Sequence, residues 1–356
     1  MLSGNHVSAL VDPAAIFAAI TAEIGRAEHQ ILLDIFLFGG TTGHDLADHL
    51  CARVAAGVEV KILFDPHLGG PILRPLHEPV LRRLQLAGAV VRPFAIRKLP
   101  GWWRPLKADH NKVLVVDGRH AFVGGANFHD GSQRNHDLML LLRGPAATYL
   151  GEIFARHWSL AGGTQPARML RFPDEGPSLV RVTVSNPDRQ DIRQYLLTAL
   201  AEVREDILLS MYVLGDNEVE RALVAAHRRG VKVRIILDPN IQAFSLPING
   251  MPNVAAVMTL RPAGLPIRFF PVKPGGQMHL KLAIFDHNLV VTGSANWTTL
   301  GLDGNNETTL FIEDIALATE LAELFERDWL VAVEPLPLTW KDRLAGWLIR
   351  MMRRCY

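Results

Sequence analysis

The chain has 356 residues, 49% of them hydrophobic and 21% charged, with a formal net charge of +1 at pH 7. That length supports one large domain or two ordinary ones, each with a proper core, and the composition excludes a disordered or fibrous chain. So balanced a charge argues against a protein held on nucleic acid by its overall field, and nucleic acid is not the expected partner.

The first residues, MLSGNHVSALVDPAAIF, lack the basic stretch and apolar run of a secretory signal. No apolar run approaches the ~20 residues that span a bilayer. The two cysteines, Cys51 and Cys355, lie far apart without metal-ligand spacing, so a reducing compartment is expected. Taken in chain order, Ile31 to Phe38 and Val58 to Phe64 read as buried strands. Between them Leu46 to Ala55 has helical spacing, with Gly57 just past its end. This is a βαβ unit with parallel pairing. Asp117-Gly118 then marks a two-residue turn between Val113–Val116 and Ala121–Val123. The stretch from about Thr164 to Pro187, rich in proline and poor in periodicity, reads as a linker within which the second domain starts.

The second half repeats the first. His110-Asn111-Lys112, Asp117, Gly124-Gly125 and Asn127 recur as His279-Leu280-Lys281, Asp286, Gly293-Ser294 and Asn296, at a constant offset of 169 residues. Upstream, Gly57 to Asp65 parallels Gly230 to Asp238, and Ile31 to Leu37 parallels Ile207 to Val213. The expected architecture is α/β, with two similar domains related by a pseudo-twofold axis. Each is a mostly parallel central sheet flanked by helices. The expected bounds are residues 1–165 and 166–335, followed by a C-terminal helix at 336–356. The repeat makes a dimer-like unit within one chain, and a monomer is expected.

Residues i and i+2 of a strand share a face, so His110 projects with Lys112 and His279 with Lys281. The small residues Gly125 and Ser294 let backbone approach an anion, and Asn127 and Asn296 add amide donors. If the two halves face each other, two imidazoles meet across one phosphate. One attacks phosphorus and the other protonates the leaving oxygen, then serves as base for water or an alcohol. The lysines and asparagines neutralise the non-bridging oxygens, and no metal or other cofactor is called for. An attacking imidazole needs a carboxylate on its other nitrogen. Asp137 and Glu307, ten and eleven residues after the asparagines, are the expected orienting carboxylates. Asp117 and Asp286, at the far end of their strands, are expected to be structural.

These motifs resemble the phospholipase D superfamily, whose signature is His-x-Lys-x4-Asp followed by Gly-[Gly/Ser]-x-Asn; the resemblance covers roughly residues 10 to 335. It implies a metal-free phosphohistidine mechanism with both motifs at one interface, His110 as nucleophile and His279 as general acid. Within the superfamily the first motif and the segments Asn135 to Pro145 and Phe154 to Trp158 resemble bacterial cardiolipin synthases. Asn111 stands where those usually carry arginine, and Trp297-Thr298-Thr299 resembles nuclease-like and mitochondrial members instead. Other histidines, such as His44, His49, His129 and His136, lack ligand spacing and read as surface or hydrogen-bonded residues.

In the tail, Leu344, Trp347, Leu348, Met351 and Met352 form a helical stripe among Lys341, Arg343, Arg350, Arg353 and Arg354. This suits an anionic membrane surface, or a helix docked on the body. Arg97 to Lys107, with Trp102-Trp103, reads as an interfacial lip before His110. The expected activity is a phosphatidyltransferase joining two phosphatidylglycerols into cardiolipin and glycerol. A phospholipase D acting with water, a metal-independent nuclease and a non-catalytic scaffold are the alternatives. The expected substrate is phospholipid, and the expected location is the cytoplasm, peripheral at the inner membrane face.

Overall fold

The computed structural model describes residues 1–67, 70, 73–95, 107–164, 174–186, 188–239 and 252–353. Residues 96–106, which hold most of the tryptophan lip, lie outside them. The chain opens with β1 (Leu2–Val11) and α1 (Asp12–Arg26), whose Pro13 sits in the first turn, where no helical partner for an N–H is needed. The expected βαβ unit follows as β2 (Gln30–Ile35), α2 (Gly40–Ala55) and β3 (Glu59–Phe64). Helix α2 starts earlier than its apolar spacing indicates. Asp130, distant in sequence, accepts the N–H groups of Thr41 at 3.1 Å and Thr42 at 2.8 Å and so caps a first turn of poor helix formers. Gly57 ends it at φ +87°, as its position predicts.

The first repeat continues with α3 (Arg74–Ala87), β4 (Val90–Pro93), β5 (Lys112–Val116), β6 (His120–Gly124), β7 (Leu138–Arg143) and α4 (Pro145–Leu160). The second contains β8 (Ser178–Asn186), β9 (Arg189–Gln190), α5 (Asp191–Glu202), β10 (Asp206–Met211), α6 (Asn217–Arg228), β11 (Lys232–Leu237) and α7 (Val254–Leu260). It goes on through β12 (Ile267–Phe269), β13 (Lys281–Phe285), β14 (Leu289–Gly293), β15 (Glu307–Glu313) and α8 (Ile315–Val331), and α9 (Trp340–Met352) follows. Apart from the short β9, the second repeat reproduces the first element for element. It begins, at β8, inside the stretch expected as linker.

The α/β class with flanking helices stands, but the sheet differs from expectation in two ways. It is mixed rather than mostly parallel. Among the described strands only β2–β3–β4 and β10–β11–β12 pair in parallel, because there a crossover helix intervenes. The meanders β5–β6–β7 and β13–β14–β15 are antiparallel. It is also one sheet rather than two, since β1 pairs with both β7 and β8 and joins the repeats.

Strand alternation divides the core into three layers. Ile31, Leu33 and Ile35 of β2 face a cluster under the outer helices of the first repeat, and Ile207, Leu209 and Met211 of β10 do the same in the second. Leu32 and Leu208 point the other way, into a shared cluster that also holds Phe154 and Trp158 of α4 and Leu321 and Phe325 of α8. Each repeat thus buries one sheet face against its own helices and gives the other to a common centre.

Candidate active site

The residues just ahead of β5 and β13 cross to the opposite repeat. His110 N–H donates to the Asn306 carbonyl at 2.9 Å, and Asn306 N–H to that of Ala108 at 3.0 Å. His279 N–H donates to the His136 carbonyl at 2.7 Å, and His136 N–H to that of Gln277 at 2.8 Å. Strand-end aspartates hold the same segments from behind: Asp65 accepts the N–H of Asp109 at 2.9 Å, and Asp238 that of Met278 at 2.6 Å. The signal for these two aspartates in the sequence is their matching place in the repeat.

This exchange pairs each imidazole with a carboxylate from the other half. His110 Nδ1 lies 2.9 and 3.0 Å from the two oxygens of Glu307, and His279 Nδ1 lies 2.8 Å from Asp137. A carboxylate only accepts, so Nδ1 carries the proton and Nε2 keeps its lone pair free. Lys112 Nζ and Lys281 Nζ donate back to the carbonyls of His110 and His279, each at 2.7 Å. The two sites match further. Phe36 packs on His110 at 4.8 Å between ring centres, and Tyr212 packs on His279 at 4.6 Å. Each ring also lies near the lysine of its site, Lys112 at 5.2 Å and Lys281 at 5.0 Å. Phe36 and Tyr212 also correspond in the repeat.

Gly125 and Ser294 differ from expectation. Their N–H groups are already committed to Leu138 and Thr308 carbonyls, at 3.0 and 2.9 Å, and are not free for an anion. Small size serves the carboxylates instead. A Cβ at Gly125 would stand 2.2 Å from Asp137 Oδ1, and Ser294 Oγ donates to Glu307 Oε2 at 2.6 Å. Asn127 and Asn296 each keep a buried amide oxygen with no hydrogen-bond partner among the described residues. Such a group costs about 1–3 kcal/mol unless something bound completes it.

Asp117 and Asp286 sit apart from this centre, at the hairpin turns. Asp117 takes the N–H groups of Glu28, His29 and Gln30 within 2.9 Å, and Asp286 takes those of Arg204, Glu205 and Asp206. Both are left-handed, at φ 53° and 49°. The turn at Asp117 is one residue longer than expected. Arg119 N–H closes on the Val116 carbonyl, but strand pairing closes at Val116 and His120.

Burial sets the protonation of the centre. It lowers His110 and takes His279 down to about 4, against the opposing pull of Glu307 and Asp137. It takes Lys112 to about 7 and Lys281 to about 8, and each cation depresses its neighbours further. Lys281 is felt at His110, and Lys112 at His279, so the two half-sites share one field. Glu307 is held below its ordinary value by His110 and Lys112, despite its burial. The side chain of His110 is 15% exposed and that of His279 7%. The arrangement offers two neutral imidazoles with free Nε2 atoms and two cations that an incoming anion would recharge. Among the described residues no cluster of three or more His, Cys, Asp or Glu side chains is arranged to hold a metal.

A polar cluster whose members are too far apart in sequence to mark it lies beneath the first motif. Asn111 donates to Asp34 and accepts from Thr308, while Asn306 donates to Asp109 and His157 touches Asp34. Asn111 is buried among these partners.

The family model described as "Cardiolipin synthase, PLD-like domain" matches residues 20–158 and 196–329. The chain is 29% identical to cardiolipin synthase A of Pseudomonas entomophila over 92% of its own length and 69% of that protein's. It is 30% identical to cardiolipin synthase A of Pseudomonas putida (strain W619) over 94% and 71%. Among solved structures, phosphatidylserine synthase of Haemophilus influenzae superposes with a TM-score of 0.71 at 13% identity, covering 98% of this chain and 93% of that one. Polyphosphate kinase of Porphyromonas gingivalis gives 0.62 at 16%, covering 97% and 52%. At these identities the two structures speak for the fold alone. The matched model spans both repeats and both motifs: the chain belongs to the phospholipase D-like family and is an enzyme of that superfamily.

Proposed function

We propose that the protein is a phosphatidyltransferase of the cardiolipin synthase type, converting two phosphatidylglycerols to cardiolipin and glycerol through a phosphohistidine. The observation that carries this is the pair of crossed couples, His110–Glu307 and His279–Asp137, each with its lysine. In the first step Nε2 of His110 attacks phosphorus. The P–O bond to glycerol breaks, and His279, which takes up a proton at Nε2 as the anionic phosphodiester binds, gives that proton to the departing oxygen. Glu307 stabilises the cation that forms on His110. In the second step His279 takes the proton from a hydroxyl of a second phosphatidylglycerol, whose oxygen forms the new P–O bond as the P–N bond breaks. Lys112, Lys281, Asn127 and Asn296 face the non-bridging oxygens, and Asp117 and Asp286 hold the framework. His110 is the nucleophile by family resemblance, and the lipid assignment leans on the cardiolipin synthase relatives.

Helix α9 supports action at an anionic membrane surface. Its small and polar side, Asp342, Ala345 and Gly346, docks on the body. Arg353 pairs with buried Glu220, and Arg350 bonds Thr259, so these two cations are spent internally. Trp340, Leu344, Trp347, Leu348, Met351 and Met352 remain 47–70% exposed, with Lys341 and Arg343 outward beside them. No helix among the described residues is long and apolar enough to cross a membrane.

The test incubates protein with labelled phosphatidylglycerol vesicles in EDTA. Cardiolipin should form, and His110→Ala should abolish it. Phosphatidic acid as sole product would favour hydrolysis. Cleavage of DNA without any lipid product would overturn the reading, and Trp347→Glu with unchanged vesicle binding would dismiss the role of α9.

A further inference from the structure

A pocket of about 430 Å³ opens beside the His279 half-site, walled by Asp12, Arg134 and His136 from the first repeat and Phe270, Lys273 and Gln277 from the second. It belongs to neither couple, yet it shares their backbone. His136 directly precedes Asp137, and Gln277 lies two residues before His279. Gln277 also donates to the hydroxyl of Tyr212, the ring that packs on His279.

The pocket is cationic. Arg134 is exposed, and neither it nor Lys273 has an ion-pair partner among the described residues. Both ring nitrogens of His136 face carboxylates, Nδ1 at 2.7 Å from Asp12 and Nε2 at 2.9 Å from Asp328, so the ring holds two protons and a positive charge. Against burial, which pushes it down, the same carboxylates raise its pKa to about 9, and its ring stacks on Phe270 at 4.7 Å. Among the described lining residues, three positive groups thus face one acid, Asp12, with Asp328 behind. Lys273 is felt at Asp12, whose oxygen His136 already occupies.

We infer that this pocket holds the phosphodiester of the acceptor lipid while its headgroup hydroxyl reaches the phosphohistidine. This rests on the transferase reading above. The geometry suits it. Gln277 and His279 flank Met278, which bridges in parallel to His136, so at about 3.3 Å per extended residue they stand roughly 7 Å apart. A glycerol headgroup joins its own phosphorus to its terminal hydroxyl through three carbons, a span of roughly 6 Å for bonds near 1.5 Å. An acceptor whose phosphate sits in this pocket at the Gln277 wall would present its hydroxyl near His279, the base of the second step, with Arg134 and Lys273 supplying the opposing charge. Water and simple alcohols have no phosphate to anchor, so the pocket would select a lipid over them.

The test supplies phosphatidylglycerol vesicles together with ethanol and measures cardiolipin and phosphatidylethanol in the same reaction. With Arg134→Ala or Lys273→Ala, the ratio of cardiolipin to phosphatidylethanol should fall tenfold or more, and Arg134→Lys should restore most of it. An unchanged ratio, or equal loss of both products, overturns the inference. If the unaltered protein makes neither product, it is the transferase reading that fails. A lipid phosphodiester and free phosphate carry the same chemistry. Selective inhibition of cardiolipin formation by inorganic phosphate would identify a site open to both, and insensitivity with the Arg134 effect intact would identify one that needs the lipid.

Discussion

Replacing Glu307 with glutamine keeps the shape of the His110 couple and removes its charge. The carboxylate holds His110 Nδ1 at 2.9 and 3.0 Å and receives the Ser294 hydroxyl at 2.6 Å, all in buried surroundings. A full charge pair at 2.9 Å and an effective dielectric near 20 attracts by roughly 6 kcal/mol. In the proposed reaction His110, neutral in the free protein, becomes cationic only as it attacks phosphorus, so this attraction acts on the barrier rather than on the resting state. If glutamine retains about half of it through its amide dipole, the barrier rises by about 3 kcal/mol, a loss of about two decades in rate. The assay is single-turnover release of glycerol from labelled phosphatidylglycerol, with circular dichroism to verify folding. Asp137→Asn should act similarly through His279. If both couples serve one turnover, as proposed, the double variant should fall far short of the product of the two losses. A folded Glu307→Gln protein with less than a fivefold loss would refute the idea that the carboxylate acts electrostatically.

Two further outcomes follow from the same geometry. Lys112 titrates at about 7 and Lys281 at about 8 instead of the ordinary 10.5, so kcat/KM should decline as pH rises through 7 to 8. Between those values and 10.5 the unfolded chain binds protons that the folded site refuses. Stability should therefore rise with pH across that window, and Lys112→Met should flatten the slope in denaturant titrations; an unaltered slope would contradict this. Asp117→Ala strips three backbone N–H groups of their acceptor and puts alanine at φ 53°. At about 1 kcal/mol for each hydrogen bond, the protein should lose about 2–3 kcal/mol in denaturant titrations, while activity per folded molecule holds; a folded but inactive variant would give Asp117 a direct role.

Much of the site was legible because repetition marks it. His110, Lys112, Asn127 and their partners stand out through a common offset, and the distance of Asp137 and Glu307 from the asparagines was a usable signal. Which carboxylate serves which imidazole was not legible, because the exchange depends on pairing between Asn306 and Ala108 and between His136 and Gln277, contacts far apart in sequence. The small residues were misread for a related reason. Gly125 looks like an anion cradle until Asp137 is seen to fill the space above it. The parallel core of the sheet followed from βαβ spacing, whereas β1 carries Gly4 and Asn5 and too little alternation to betray a central strand. The tail helix shows how an amphipathic pattern alone misleads about charge: Arg350 and Arg353 belong to its buried side.

The crossing of the couples bears on how the two repeats can diverge. Neither half carries a complete imidazole–carboxylate pair, so a fragment ending before the second repeat would be inert until its counterpart complemented it. The halves are bound by mutual dependence rather than by sameness. Each may change the carboxylate it lends, glutamate with a serine beside it in one case and aspartate beneath a glycine in the other, as long as the borrower's histidine is still served. A duplicated ancestor with two equal centres could by this route specialise one for attack and the other for proton transfer.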